Sequence, residues 1–490
     1  MSEMWRARRW SYALSASPLT LAVVSCFLLS SLRPRPVTAE ESTLDRDRAA
    51  VGLGPPPGFF EGGEPTSQRK EAEKISGQLG LRSYLSTDDS DAPTPPYFSI
   101  SFLEADLHAQ GLGRTDVSLH LDATFLLDIQ EANERRFGET ERFDQVRQLY
   151  LEQALGALTL RAGRRLIAEA GNGWVDGAEL SLALLQRRLK LGAYGGFAPD
   201  PFDRSFGVDR QGFGLYSAYQ RRGLQLTGAW HGEQLDGTLD RHYFHQRAHW
   251  MVTDALSLSS YLILDLIDEP TLSTFLATAD YRLNKALTLS LNLSRYSLAR
   301  YRNQQVYRNV IELNQLLLLG DEVIDLVYNR ARLSASLRIS DQLYHYQSLE
   351  FKRRAQDGAE AWIYCGGFRL EDTLNSGVEL DLRGQVADQF RANDWLIGLS
   401  ARRNFGYRYS GELRASWLSG RTLDQRSERL RLFDEAHELL LFGASITFRP
   451  SRAHQLLLGY DAVFERGLVD ARSDENVLIQ TGMLLYRWLY

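Results

Sequence analysis

Cysteine is nearly absent, with Cys26 and Cys365 the only two in 490 residues. Cys26 falls in a leader that the chain loses on export, so Cys365 stands alone in the mature protein and no intramolecular disulfide can staple the fold. Long apolar runs are missing too. Beyond the leader nothing approaches the ~18 consecutive apolar residues of a membrane helix, and the mean hydropathy of −0.31 excludes a helical membrane protein. No Pro/Gly/Ser-rich linker interrupts the chain after residue 96, so one large closed domain is simpler than a string of soluble ones. A formal net charge of −6 gives no basic surplus for nucleic acid. Neither a nucleophile elbow nor a comparable catalytic motif is present, so no enzymatic activity and no cofactor is expected. The histidines of RHYFHQRAHW (241–250) do not suggest a metal site. On a strand His242 and His245 face opposite sides, and His245 and His249 lie ~13 Å apart.

What is present begins with an export signal. Arg6, Arg8 and Arg9 precede the apolar run LTLAVVSCFLLSSL (19–32), and Val37-Thr38-Ala39 supplies small residues for cleavage, giving a leader over 1–39. A lipoprotein reading would acylate Cys26, but FLLSSL extends the apolar run past that cysteine. Residues 40–74, with Pro55-Pro56-Pro57 and Gly62-Gly63, show no period and are expected to form a flexible periplasmic segment.

From residue 75 onward the chain alternates. In ALTLSLNLS (286–294) Leu287, Leu289, Leu291 and Leu293 occupy every second position, with Thr288, Ser290, Asn292 and Ser294 between them. Period two puts the leucines on one face of a strand and the polar groups on the other. Residues 331–339 and 405–417 repeat the pattern, as do the faces Val117 to Phe125, Leu456 to Phe464 and Leu484 to Tyr490. Several runs reach the about 9–11 residues that a tilted strand needs to cross a bilayer.

Connection lengths separate a soluble sandwich from a membrane barrel. Short turns are expected near 220–223, 253–255, 282–285, 340–342, 402–404 and 450–453, with longer loops near 127–144, 167–177, 198–209, 232–242, 298–325 and 419–437. Short turns on one rim and long loops on the other are the pattern of outer-membrane barrels. The expectation is therefore an all-β, transmembrane, antiparallel up-and-down β-barrel over 75–490, of roughly 18–22 strands, monomeric, with both termini periplasmic. The segments 361–370 and 376–387 are the weakest strands. The aromatic end, Trp488-Leu489-Tyr490, suits the assembly signal of such barrels.

The stretch LTLRAGRRLIAEAGNGWVDGAELSLALL (158–185) reads as strand, polar glycine-rich loop and returning strand. In Arg161-Ala162-Gly163-Arg164-Arg165-Leu166 and Gly173-Trp174-Val175-Asp176 it resembles the Gly-Arg strand and the Gly- and Asp-bearing loop of the alginate-export family of outer-membrane barrels. The resemblance covers about a third of the chain. It implies a passive exit duct whose arginines attract an anionic exopolysaccharide, working with periplasmic and inner-membrane export machinery. Alternation by itself places Arg161 toward the lumen, with Arg164 and Arg165 at the outer rim of the strand. Asp176, Arg332, Arg338, Arg408 and Arg414 complete the expected lumen path. Segments 314–326 and 426–440 have apolar residues at near-helical spacing and are candidates to fold inward as a gate. Two other functions fit the same pattern: a general or substrate-selective uptake porin, and a structural or adhesive barrel.

Overall fold

The computed structural model describes residues 74–489, except for 89–96, 113–115, 132–144, 172, 201–204, 268–269, 298–326, 356, 374–375, 391, 423–435 and 467–476. The leader, the segment before Lys74 and the gate candidates 314–326 and 426–435 lie outside the described residues.

Alternating sequence becomes strand throughout. In chain order the strands are β1 (Lys74–Asp88), β2 (Tyr97–Gln110), β3 (Val117–Glu131), β4 (Gln145–Leu155), β5 (Leu158–Ile167), β6 (Gly173–Leu184), β7 (Leu189–Phe197) and β8 (Arg210–Arg221). Then come β9 (Leu224–Leu235), β10 (Thr238–Met251), β11 (Leu256–Asp265), β12 (Thr271–Arg282), β13 (Leu287–Ser297), β14 (Val327–Arg338) and β15 (Leu343–Arg354). The last are β16 (Glu360–Leu370), β17 (Val378–Asp388), β18 (Ala392–Phe405), β19 (Tyr409–Thr422), β20 (Ala436–Ser451), β21 (His454–Arg466) and β22 (Val477–Leu489). Each pairs antiparallel with its neighbours in sequence, and β1 closes on β22, with Gln78 opposite Leu489 and Asp88 opposite Ile479. Closure leaves no unpaired edge, which is what a sheet in hydrocarbon requires. With strands about 4.8 Å apart and tilted about 40°, a circular wall of this size measures about 44 Å between opposite backbones. The count of 22 lies at the top of the expected range, because both weak segments form full strands, β16 and β17.

Register fixes the two faces. Leu289 lies opposite Ala335 and Leu291 opposite Leu333, while Ser290 faces Ser334 and Asn292 faces Arg332. The leucines point outward and are exposed, Leu291 at 41% and Leu333 at 55%. The polar set lines the concave face, where Asn292 donates through Nδ2 to Thr278 Oγ1 at 2.9 Å. Outward aromatics gather near the short-turn rim, among them Trp250, Tyr281, Phe405, Tyr409, Tyr486 and Trp488.

Two expected connections move. The loop expected over 232–242 is a tight hairpin, because Asp236 (φ 49°) and Gly237 (φ 78°) form a two-residue turn of the primed type that matches strand twist. The turn expected at 402–404 lies at 406–408 instead, since β18 runs on to Phe405 and Gly406 supplies the left-handed residue. The alternating run 405–417 is thus a strand end, a turn and a new strand. Between β5 and β6 the chain makes a short inward turn rather than an open loop.

Gly163, Gly177, Gly196 and Gly212 lie side by side across β5 to β8. Gly163 has φ +126°, and a Cβ there would strike the carbonyl oxygen of Leu149. The row lets neighbouring backbones twist sharply at this height, as glycine kinks do in curved sheets.

Candidate functional site: the inner wall

The wall from β5 to β10 is thickened by the turn after β5. Ala168–Ala170 form one turn of 3-10 helix, closed by Gly171 in the left-handed region, whose N–H donates to the Ala168 carbonyl at 3.3 Å. The sequence Ala-Glu-Ala-Gly suits this place, since small residues let the turn lie flat on the sheet. Ile167 and Ala170 are fully buried, packed with Val175, Tyr194, Tyr216 and Ala229. Polar pins complete the attachment. Tyr243 Oη donates to the Ala170 carbonyl at 2.7 Å, His245 Nδ1 donates to the Glu169 carbonyl at 3.0 Å, and Lys190 Nζ donates to the Glu169 carboxylate at 2.7 Å. A Cβ on Gly171 would lie 3.0 Å from the His245 ring.

Beside this turn lies a compact charge cluster. Glu179 on β6 is 2% exposed and takes Arg161 at 2.9 Å, Arg165, and the Tyr216 hydroxyl. Arg161 also donates to Glu152 at 2.5 Å. The three cations Arg161, Arg165 and Lys190 thus meet the three carboxylates Glu152, Glu169 and Glu179, and the cluster sums to zero. Rings extend it around the wall. His108 stacks on His120 at 4.0 Å, His120 on Tyr150 at 4.5 Å, and the Arg165 guanidinium lies 5.3 Å from the Tyr150 ring centre. On the far side, the Tyr194 hydroxyl meets His231 Nδ1 at 2.6 Å, and His231 packs on Tyr243.

The sequence-derived path residues scatter. Arg161 and Arg165 are inward and paired, as above. Arg164 lies opposite Leu149, and Asp176 opposite Phe197, on the face that carries Leu160 and Leu180. There Arg164 holds Asp176 through two bonds of 2.5 and 2.6 Å. The outward parity of both residues corrects their expected place on the lumen path. Arg332 is inward and donates to Ser348 Oγ at 3.1 Å. Arg338 ends β14 and reaches Asp341 of the next turn at 3.4 Å. Arg408 sits in the turn between β18 and β19, over the Tyr407 ring, and not in the wall. Arg414 is inward, 2.9 Å from Asp461 and 3.8 Å from Glu412. His242 faces outward and accepts from Trp230 Nε1 at 2.5 Å, whereas His245 faces inward, as alternation requires.

Glu152 and Glu179 were expected as acids that could pair with lumen arginines, whereas Glu169, Lys190, Tyr243 and Arg383 were not singled out in the sequence. Parity alone would have placed Tyr243 and Arg383 on the wet face. Nothing in one sequence tells that Glu169 turns back onto the wall.

No family model and no curated relative matches the chain. Among solved structures it is similar to Pseudomonas aeruginosa OccK11 (OpdR), at 12% identity and TM-score 0.40 over 85% of this chain and 96% of that one. It is likewise similar to Acinetobacter baumannii OccAB2, at 12% identity and TM-score 0.40 over 85% and 98%. A third is Pseudomonas aeruginosa OccK2 (OpdF) in complex with glucuronate, at 11% identity and TM-score 0.40 over 85% and 98%. At this level of similarity they say nothing of what this chain carries.

Proposed function

We propose that the chain is a passive outer-membrane channel for small water-soluble solutes. The export leader and the outward apolar band support the membrane address, because contiguous apolar surface on this scale belongs in lipid and not in water. The observation that carries the small-solute reading is the way charge is distributed on the inner face. A duct for a charged polymer calls for cations repeated along the axis, each free to meet the chain as it passes. Instead Arg161, Arg165 and Lys190 are neutralised by Glu152, Glu169 and Glu179, and Arg414 lies between Glu412 and Asp461. Arg164, which carried the resemblance to an exopolysaccharide exporter, faces outward and is bound to Asp176. The export expectation loses its residue-level support, and substrate-selective uptake is the better account.

Swelling of liposomes containing the purified protein tests this. Sugars and carboxylates of a few hundred daltons should enter at rates that fall with size, and planar bilayers should show discrete conductance steps. A protein that neither conducts nor passes such solutes would overturn the reading.

A further inference from the structure

One stretch of inner wall departs from charge balance. Apart from Arg338 and Arg354 at the strand ends, which pair with Asp341 and Asp357 of the adjoining turns, the inward cations on β14 to β17 are Arg330, Arg332, Lys352, Arg369 and Arg383, against Glu350, Glu379 and Asp381. Glu350 is taken by Arg330 at 2.5 Å and Lys352 at 3.2 Å. Asp381 accepts from Tyr346 at 2.8 Å and lies 3.4 Å from Arg369, which also reaches Glu379. The carboxylates are therefore committed elsewhere. Among the described residues Arg332 bonds only the neutral Ser348, its Nε being buried without a partner, and Arg383 forms no ion pair. Arg383 lies flat over Gly398 of β18, where a Cβ would come 3.0 Å from its Nε.

Between these two arginines stands Cys365. It faces inward on β16, opposite Ser348 on one side and Gln385 on the other, and is half-buried. Arg332 leans toward it through Ser348, and Arg383 is one pleat away on the adjacent strand.

We propose that Arg332 and Arg383 form an anion subsite on the pore wall, with Cys365 at its floor, that holds a small carboxylate- or sulfonate-bearing solute in transit. A guanidinium bonded only to a neutral hydroxyl keeps donors for a carboxylate, and because Glu350, across the strand from Arg332, is already bound by both Arg330 and Lys352, the two arginines retain positive charge that attracts a single negative group. Ser348 and Gln385 add neutral donors that suit a solute carrying hydroxyls beside its acid. This subsite rests on the reading of the barrel as an open channel.

Cys365 is its own probe, because no other cysteine remains after residue 39. A methanethiosulfonate transfers its thiol half to the cysteine thiolate, forming a mixed disulfide and releasing methanesulfinate. Three reagents would be compared on the reconstituted full-length mature protein: neutral methyl, anionic 2-sulfonatoethyl and cationic 2-trimethylammonioethyl methanethiosulfonate. Each rate is divided by that with a free small thiol. The neutral reagent should label Cys365, and the anionic one should outpace the cationic at least about fourfold at physiological salt, a ratio that falls toward one at 1 M salt where charges are screened within about 3 Å. Arg332→Gln with Arg383→Gln should bring the ratio of anionic to cationic rates to about one, a ratio in which any change in the thiolate fraction cancels because both reagents meet the same thiol. Should the double variant fail to assemble, Arg383→Gln alone and the salt series on the unaltered protein decide the matter. Equal rates for the two charged reagents, with the neutral one reacting, would overturn the subsite and leave the channel standing. Failure of the neutral reagent as well would overturn both.

Discussion

Replacing Leu291 by arginine asks which solvent the leucine face meets. Leu291 lies opposite Ala279 and Leu333 on the outward face of β13, at 41% exposure. On a soluble protein an arginine at so exposed a site changes stability by less than about 0.5 kcal/mol. In lipid the cost depends on depth. A strand rising about 3.3 Å per residue at about 40° tilt climbs about 2.5 Å per residue along the barrel axis. Counted from Leu287 at the short-turn rim, Leu289 lies about 5 Å, Leu291 about 10 Å and Leu293 about 15 Å into an apolar band about 25 Å tall. Leu291→Arg and Leu293→Arg should therefore cost about 2–4 kcal/mol, and Leu289→Arg clearly less, because its guanidinium can reach the interface. Ser290→Arg, inward and opposite Asp280 and Ser334, should be nearly neutral. Urea unfolding from phospholipid vesicles gives the free energies, and heat-modifiable migration on gels gives the folded fraction. If Ser290→Arg were the damaging change and Leu291→Arg harmless, the assignment of faces would be reversed and the barrel reading refuted.

Other outcomes follow from single contacts. Gly163→Ala should cost more than about 2 kcal/mol, because the added Cβ meets the Leu149 carbonyl at a strained φ, whereas Gly237→Ala, with open space around it, should cost about 1 kcal/mol; equal losses in urea unfolding would argue against the glycine kink. Glu179→Gln strips Arg161 and Arg165 of their shared carboxylate and should destabilise by about 3 kcal/mol, and a wild-type unfolding curve would refute the central place given to it. Tyr243→Phe removes the bond to the Ala170 carbonyl and should loosen the inward turn by about 1 kcal/mol, read as faster amide exchange at 168–171 with the strands unaffected. In the connection between β15 and β16, bonds from the Arg354 guanidinium and the Ala359 amide hold the Asp357 carboxyl well below the usual carboxylate range. A group whose folded pKa is depressed adds stability above its unfolded value of about 4, and loses it only as pH falls through the lower folded value. A carbon-13 titration that placed Asp357 near pH 4 would show that this pair does not hold in solution.

Alternation by itself determined the wall. Period-two runs such as Leu287 to Leu293 specify both that a strand forms and which side is oily, because a one-residue slip would turn every leucine into the lumen. The short turns specified the antiparallel order, and the absence of cysteine pairs and long apolar runs removed the main alternatives. Closure into a barrel was expected, but the strand count was left at roughly 18–22, and the register by which β1 meets β22 across four hundred residues was not legible, since it depends on strand number and tilt together. Nor was the hairpin at Asp236-Gly237 recognised, although its Asp-Gly pair carries the signal for a primed turn. The inner site is the product of tertiary structure. Sequence made Arg161, Arg165 and Arg332 look alike as wet-face arginines, but a cation's effect depends on what stands across the strand from it. Glu152 and Glu179 flank Arg161 and bind it, while Glu350, across the strand from Arg332, is held by Arg330 and Lys352, so that among the described residues Arg332 bonds only Ser348. Charge on a barrel wall is cancelled or left over by register and by the folding-back of a turn, and those are set only when the strands have closed.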